Sequence, residues 1–157
     1  QADVHDTKFG KIGVLVCEDL WHMSLPLLQA LKGAKVIIGI AVSPTRLALN
    51  SKSKILKNYE INSEQHRAYA RLRSIYMVFC NRVGYEDGVN FWGGSEIVDP
   101  FGTVDKVAKF FFYFMITSEI NMNSIKRARQ LARHFLDEDV NFLRNEVQLL
   151  HDELAKI

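Results

Sequence analysis

The sequence predicts an α/β fold in which helices cross between strands of a largely parallel sheet. Almost wholly apolar runs at residues 11–17, 36–41 and 75–80 are typical of strands covered on both faces. Segments with helical periodicity separate these runs, at residues 24–33 and 54–73. Because strand, helix and strand alternate along the chain, each crossover is expected to be right-handed and to connect parallel strands.

The limits of the two crossover helices follow from local residue types. Ser24 is the predicted N-cap of the first helix, because its hydroxyl can accept a hydrogen bond from a free backbone N–H. Gly33 suits the left-handed position that follows a helix. The second helix follows a polar loop at residues 42–53, and its apolar positions recur at a spacing near 3.6: Ile55, Tyr59, Ala68 and Leu72.

The next part of the chain predicts turns and strands. Residues 83–94 contain several glycine turns, and residues 97–104 have the pattern of a hairpin around an Asp-Pro-Phe-Gly turn. Residues 110–120 are predicted to form a long apolar strand.

Residues 123–157 form a predicted C-terminal helical tail, with helices near residues 123–135 and 138–156. In the last helix the apolar residues recur at spacings of three and four, which is typical of a seam between helices. Packing on the body of the domain and packing on a second subunit are both open. The seam residues are Val140, Leu143, Val147, Leu150 and Leu154.

The composition limits the classes of protein. With 48% hydrophobic residues, the 157 residues are expected to form one globular domain. A net charge of +2 with both signs interspersed gives no reason to expect a nucleic-acid partner. The apolar runs are too short to span a bilayer and no secretory leader is recognised, so we expect no membrane partner and a cytoplasmic location.

Cys17 is the candidate nucleophile. It ends the first apolar run, and two acids, Glu18 and Asp19, follow it directly. A thiol at a turn between strand and helix is exposed, faces backbone N–H groups and is favoured as a thiolate by the nearby helix N-terminus. A cysteine in this position is also typical of a small buried hydrophobe, so position alone leaves both interpretations open. We expect the two carboxylates to cap the turn or form ion pairs, and Cys80 to be inert core.

Two other kinds of site are disfavoured. Cys17, Asp19 and His22 suggest a metal site, but structural zinc needs four ligands and the sequence offers no second cluster. We therefore predict no metal and no cofactor. A cysteine–histidine pair would need His66 or His134, and both are predicted to be solvated histidines on strongly charged helices.

Four motifs occur in order, at residues 10–21, 33–38, 81–84 and 91–102. Together they resemble the C-terminal half of the nitrilase superfamily, the carbon–nitrogen hydrolases, over residues 10–129. The Cys-Glu-Asp version is similar to that of amidase members and of the glutaminase domains of glutamine-dependent NAD synthetases.

The resemblance implies a four-layer α-β-β-α sandwich, of which residues 1–157 would be a partial domain lacking the N-terminal half. It also implies a Cys-Glu-Lys triad in which Cys17 attacks the carbon of a small-molecule amide or nitrile. Ammonia or an amine leaves, and water hydrolyses the thioester. By the same resemblance, the backbone N–H of Glu18 donates to the oxyanion.

The rest of that triad is not recognisable here. In the family the Glu and Lys lie well upstream of the Cys, whereas 16 residues precede Cys17 and none is a Glu. Lys8 and Lys11 lie too close to the cysteine by family spacing. We therefore expect a carbon–nitrogen hydrolase of EC 3.5 type in the complete protein, and no activity from this chain alone.

The resemblance also suggests substrate-binding residues. Asn81, Trp92 and Ser95 lie on loops that border the cysteine in the family fold, so substrate contact and turn packing are equally open. Trp21 follows the nucleophile and either lines the pocket or joins the core. Arg46 lies on a loop that faces the site in relatives, where it would contact a substrate carboxylate.

Two functions from different classes remain. The first is hydrolysis of an amide or nitrile through a cysteine thioester. The alternative is a non-catalytic α/β binding or assembly module that keeps the nitrilase fold. Because two sandwiches commonly pack through helices and the C-terminal segment in this family, a homodimer or higher homo-oligomer is expected in either case.

Overall fold

A computed structural model describes residues 2–45 and 56–156 of the chain. The described part contains a six-stranded sheet, a two-stranded hairpin and four α-helices. The sheet strands are β1 (Val4–Thr7), β2 (Gly10–Val16), β3 (Val36–Ala41), β4 (Tyr76–Asn81), β7 (Glu96–Val98) and β8 (Val104–Val107). The hairpin strands are β5 (Val83–Glu86) and β6 (Val89–Trp92). The helices are α1 (Ser24–Leu31), α2 (Lys57–Arg73), α3 (Met122–Leu131) and α4 (Val140–Leu154).

The sheet has the strand order β1-β2-β3-β4-β7-β8. Strands β2, β3 and β4 are parallel, and α1 and α2 connect them, which confirms the predicted α/β alternation. The outer pairs, β1 with β2, β4 with β7 and β7 with β8, are antiparallel. The predicted hairpin is the β7–β8 pair, whose turn is closed by Asp99 Oδ1 accepting from the backbone N–H groups of Phe101 and Thr103.

Helix α1 begins one residue earlier than predicted. Ser24 is its first helical residue, Met23 is the N-cap, and no side chain caps this end. Gly33 has a φ of +102° and follows the helix as expected. The predicted start of the second helix at residues 54 and 55 lies outside the described residues.

One face of the sheet carries the main core. Alternate side chains of β2, β3 and β4 pack here against α1, α2 and the turn after β2. The close fit is visible at Gly39, where an added Cβ would lie 2.9 Å from Leu20 Cδ2. Fully buried members of this core include Leu20, Ile37, Ile75, Met77, Phe79 and Trp92.

The other face of the sheet is only partly covered. Ile125 of α3 packs on Val36 and Tyr76 near the amino ends of the strands. At the carboxyl ends Val16 and Ile40 are exposed. Cys80 pairs with Ile40 in the strand register and is exposed with it, so its predicted place in an inert core is wrong for this chain. The side-chain alternation of β4 decides this, because Cys80 points away from the face that the crossover helices cover.

The predicted strand at residues 110–120 does not form. Phe110 makes an isolated bridge with Gly93, and Phe111 adopts a left-handed φ of +64°. Beyond them the chain has no strand partner in the described part of the protein, and Tyr113 is 88% exposed. Apolar and aromatic residues favour a strand only where a neighbouring strand offers its backbone groups, and beyond Phe111 none of the described strands does.

The two helices predicted near the C-terminus both form, with changed limits. Helix α3 ends at Leu131, and a short 3₁₀ turn, Arg133–Phe135, separates it from α4. Asp139 caps α4, because its Oδ1 accepts from the backbone N–H of Asn141 at 3.0 Å and of Phe142 at 2.9 Å. None of the described helices is long and apolar enough to cross a membrane.

Candidate active site

Cys17 lies at a strained turn directly after β2. Its φ is +48°, in the left-handed region that residues other than glycine rarely adopt. It opens a 3₁₀ turn, Cys17–Trp21, which leads into α1, and its side chain is exposed. A non-glycine residue keeps such a conformation only where the surroundings impose it, and such residues are common at functional sites.

The turn is held from two sides. Val16 donates its backbone N–H to Asp19 Oδ2 at 2.9 Å, so the Asp19 carboxylate has the capping role that we expected. Leu20 is buried, and its carbonyl accepts hydrogen bonds from Tyr69 Oη and Gln65 Nε2 of α2, each at 2.8 Å. The Asp19 carboxylate and the Leu20 carbonyl therefore both help to hold the turn in place.

A cavity of about 380 Å³ opens beside the Cys17 thiol. It lies at the carboxyl ends of β2 and β3, where ligands bind in open α/β sheets. Trp21, which is 50% exposed, forms part of the wall. Of the described lining residues only Glu18 carries a carboxylate, and none is a lysine. The lining residues are Cys17, Glu18, Leu20, Trp21, Ala41, Val42, Ser43, Pro44, Asn58, Ile61 and Asn62.

Asn81, Trp92 and Ser95 are not among the residues that line the cavity. Asn81 Oδ1 accepts from the Ser43 backbone N–H at 2.9 Å, and Ser95 Oγ accepts from the Asn81 backbone N–H at 3.0 Å. Trp92 is fully buried and donates its Nε1–H to Ser43 Oγ at 3.2 Å. All three therefore help to position Ser43. This residue lines the cavity and was not among the substrate-binding residues predicted from the sequence. Arg46 lies outside the described residues.

A buried polar network lies between α2 and β7. Glu96 of β7 and His66 of α2 are both buried, and Glu96 Oε1 lies 2.7 Å from His66 Nδ1. Ser63 donates its hydroxyl to Glu96 Oε2 at 2.9 Å. Burial raises the pKa of Tyr59, on the same helix, to about 12, and the Glu96 carboxylate adds to the rise.

The predicted surface position of His66 is therefore wrong. The face of α2 that packs on the sheet carries polar residues, namely Asn62, Ser63, His66 and Tyr69, so its apolar pattern is weak and it resembles a solvated helix. One residue in the sequence does indicate a buried polar contact. Glu96 stands beside Ile97 and Val98 in a sheet strand, and a buried acid needs a polar partner. His134 is exposed, as expected.

The described residues offer no metal centre. No three side chains of His, Cys, Asp or Glu among them are gathered closely enough to hold an ion. The chemistry that the site offers is that of one exposed thiol at a strained turn, beside a cavity that a small molecule can enter.

Comparison with known proteins identifies the family. A family model described as carbon-nitrogen hydrolase matches residues 1–130. The glutamine-dependent NAD(+) synthetase of Thermotoga maritima is 31% identical over 115 residues, which are 72% of this chain and 18% of that protein. The N-carbamoylputrescine amidase of Arabidopsis thaliana is 25% identical over 142 residues, covering 85% of this chain and 46% of the amidase.

A solved structure supports the fold. The crystal structure of a carbon-nitrogen hydrolase from Helicobacter pylori G27 matches with a TM-score of 0.80 at 23% sequence identity. The match covers 92% of this chain and 51% of that one, so the chain spans about half the length of this hydrolase, as it does of the amidase. The predicted nitrilase-type α/β fold is thus confirmed. Since the family model covers most of its length, the chain belongs to the carbon-nitrogen hydrolases of the nitrilase superfamily.

Proposed function

We propose that this chain is the nucleophile-bearing part of an enzyme that hydrolyses a non-peptide carbon–nitrogen bond in a small amide. The observation that carries the proposal is Cys17, exposed at a left-handed turn and lining a cavity in a member of this family. One similar protein is named an amidase and another is glutamine-dependent, which favours an amide over a nitrile. A cavity of about 380 Å³ fits a small molecule.

In the proposed reaction the Cys17 Sγ, as thiolate, attacks the amide carbon and forms a tetrahedral intermediate. The backbone N–H of Glu18, the residue after the nucleophile, donates a hydrogen bond to the developing oxyanion. The C–N bond then breaks, the nitrogen takes up the proton that the thiol released, and ammonia or an amine leaves. Water attacks the resulting thioester, which releases the acid and restores the thiol.

The proposal requires a general base and a second oxyanion donor. The one carboxylate among the described lining residues, Glu18, immediately follows the nucleophile, and no described lining residue is a lysine. We therefore assign both roles to groups outside the described lining residues, as the triad of the superfamily implies. We also place the enzyme in a reducing compartment such as the cytoplasm, because Cys17 and Cys80 are both free.

Mass spectrometry tests the thioester directly. When the full-length protein is incubated with a panel of small amides and nitriles, we expect ammonia release from at least one amide. We also expect an acyl adduct on the peptide that contains Cys17, which hydroxylamine removes as a hydroxamate. Ammonia release with no such adduct would contradict the thioester. Binding without turnover across the whole panel would favour the alternative, a non-catalytic binding module.

Alkylation distinguishes the two thiols. Because both are exposed in this chain, we expect iodoacetamide to label Cys17 and Cys80 when the chain is isolated. In the full-length protein we expect Cys17 to remain reactive and Cys80 to be protected, because a second layer covers its face of the sheet in a four-layer sandwich. Peptide mapping after native labelling measures both. Equal labelling in the full-length protein would mean that this face stays uncovered.

A further inference from the structure

Two side chains of α2 hold the carbonyl oxygen of Leu20. Tyr69 donates its hydroxyl hydrogen to this oxygen and Gln65 donates an Nε2–H, each at 2.8 Å. The Gln65 amide also donates to Tyr69 Oη at 3.1 Å, so the two donors are bonded to each other as well as to the carbonyl. A carbonyl oxygen has two lone pairs, and here both are used. We call Gln65 and Tyr69 the α2 clamp.

The α2 clamp acts on the turn that carries the nucleophile. Leu20 lies three residues after Cys17 in the 3₁₀ turn, Cys17–Trp21, and in the proposed reaction the N–H of Glu18 in the same turn donates to the oxyanion. Cys17 has a φ of +48°, a conformation that is unfavourable for a residue other than glycine. Such a conformation persists only where its surroundings impose it. The two hydrogen bonds of the α2 clamp therefore oppose relaxation of the turn.

The α2 clamp continues a row of polar residues that begins in the cavity wall. Asn58, Asn62, Gln65 and Tyr69 recur at spacings of four, three and four, so they lie along one side of α2. The first two line the cavity, and the last two reach the Leu20 carbonyl. One helix therefore sets both the wall that a substrate would contact and the turn that presents the thiol.

Stability alone does not explain the α2 clamp. Gln65 Oε1 is buried and has no hydrogen-bond partner among the described residues, and an unpaired buried acceptor lowers stability. Tyr69 is 5% exposed, and burial raises the pKa of its hydroxyl above the ordinary value, so the hydroxyl keeps its proton at neutral pH and can donate it. An unpaired acceptor inside a native structure calls for a reason other than stability, and positioning of the reactive turn supplies one.

We propose that Tyr69 and Gln65 are positioning residues for the hydrolysis, because they hold the Glu18 N–H and the Cys17 Sγ in the arrangement that the reaction needs. The inference rests on the proposed function, since the place of this N–H matters to the rate only if an oxyanion forms beside it. A donor stabilises a developing oxyanion only within a narrow range of positions. A small shift of the turn therefore slows the chemical step more than it weakens substrate binding.

Steady-state kinetics of Tyr69→Phe in the full-length protein test this role. The variant keeps the ring and removes one hydrogen bond to Leu20, so we expect kcat for an amide to fall about tenfold while KM changes by less than about twofold. Tyr76→Phe is the matched control, because Tyr76 is also 5% exposed and its hydroxyl oxygen accepts from the backbone N–H of Asn121 at 3.1 Å, far from the cavity. The control should keep its kcat. An equal kcat in the two variants, or a raised KM with kcat unchanged in Tyr69→Phe, would overturn the proposal.

Hydrogen exchange of the same variants tests the turn without using activity. Mass spectrometry of the peptide that contains residues 17–21 should show faster backbone exchange in Tyr69→Phe than in the wild type, and no change in Tyr76→Phe. Gln65→Met removes the other donor and should act as Tyr69→Phe does. A wild-type protein that turns over no amide would contradict the proposed function. Unchanged exchange in both Tyr69→Phe and Gln65→Met would contradict the α2 clamp even where hydrolysis is found.

Discussion

Cys17→Ala in the full-length protein is expected to lower turnover of an amide substrate by roughly 10³-fold or more, because the substitution removes the atom that forms the acyl bond. The circular dichroism spectrum should stay unchanged, since the Cys17 side chain is exposed and supports no part of the core. Cys80→Ala is the matched control and should retain activity. Retained turnover in Cys17→Ala would remove Cys17 from the mechanism.

A second substitution at the same position measures the strain in the turn. A left-handed conformation costs an ordinary residue about 1–2 kcal/mol, whereas glycine adopts it freely and loses roughly 0.5–1 kcal/mol in unfolded-state entropy. We therefore expect Cys17→Gly to have a free energy of unfolding at least as large as that of Cys17→Ala. Urea unfolding of both variants decides this. A clearly less stable glycine variant would mean that the φ of +48° stores no strain.

Glu96→Leu is expected to lower the free energy of unfolding by about 3 kcal/mol or more. The substitution leaves His66 Nδ1 and Ser63 Oγ buried without the carboxylate that each contacts. Because domains of this size are stable by about 5–15 kcal/mol, the loss is large enough to unfold a marginal protein. Urea unfolding of the full-length protein measures it.

Two further variants separate lost pairing from lost volume. Glu96→Gln keeps the shape and some hydrogen bonds, so we expect a smaller loss of about 1–2 kcal/mol. The double variant with His66→Leu and Glu96→Leu should be more stable than the sum of the single changes predicts, because it removes both partners of the pair. A Glu96→Leu protein within 0.5 kcal/mol of the wild type would show that the network does not stabilise the fold.

The buried network of Ser63, His66 and Glu96 also affects the position of the cavity wall beside Cys17. Ser63 and His66 tie α2 to β7, and the neighbouring residue Asn62 lines the cavity beside Cys17. The pairing therefore sets where that wall of the cavity lies.

The sequence by itself determined those strands and turns whose conformation depends on residues close to them in the chain. The strand at residues 36–41 is found as predicted, because a central parallel strand is apolar on both faces and ends abruptly in polar residues. The turn at Cys17 was predictable for a similar reason, since an apolar run stops there and a helix begins a few residues later. The Asp99 turn and Gly33 each fix backbone geometry through a single residue type.

The tertiary structure alone decided what each face and each polar group meets. Residues 110–120 have strand-forming side chains, yet they form no strand because pairing depends on a neighbour far away in sequence. His66 and Glu96 meet across 30 positions, and Asn81 reaches Ser43 across 38, so neither contact leaves a local pattern. Cys80 lies in an apolar stretch of sequence and is nevertheless exposed. A periodic pattern shows which residues share a face of the sheet, but only the packing of the protein determines whether another layer covers that face.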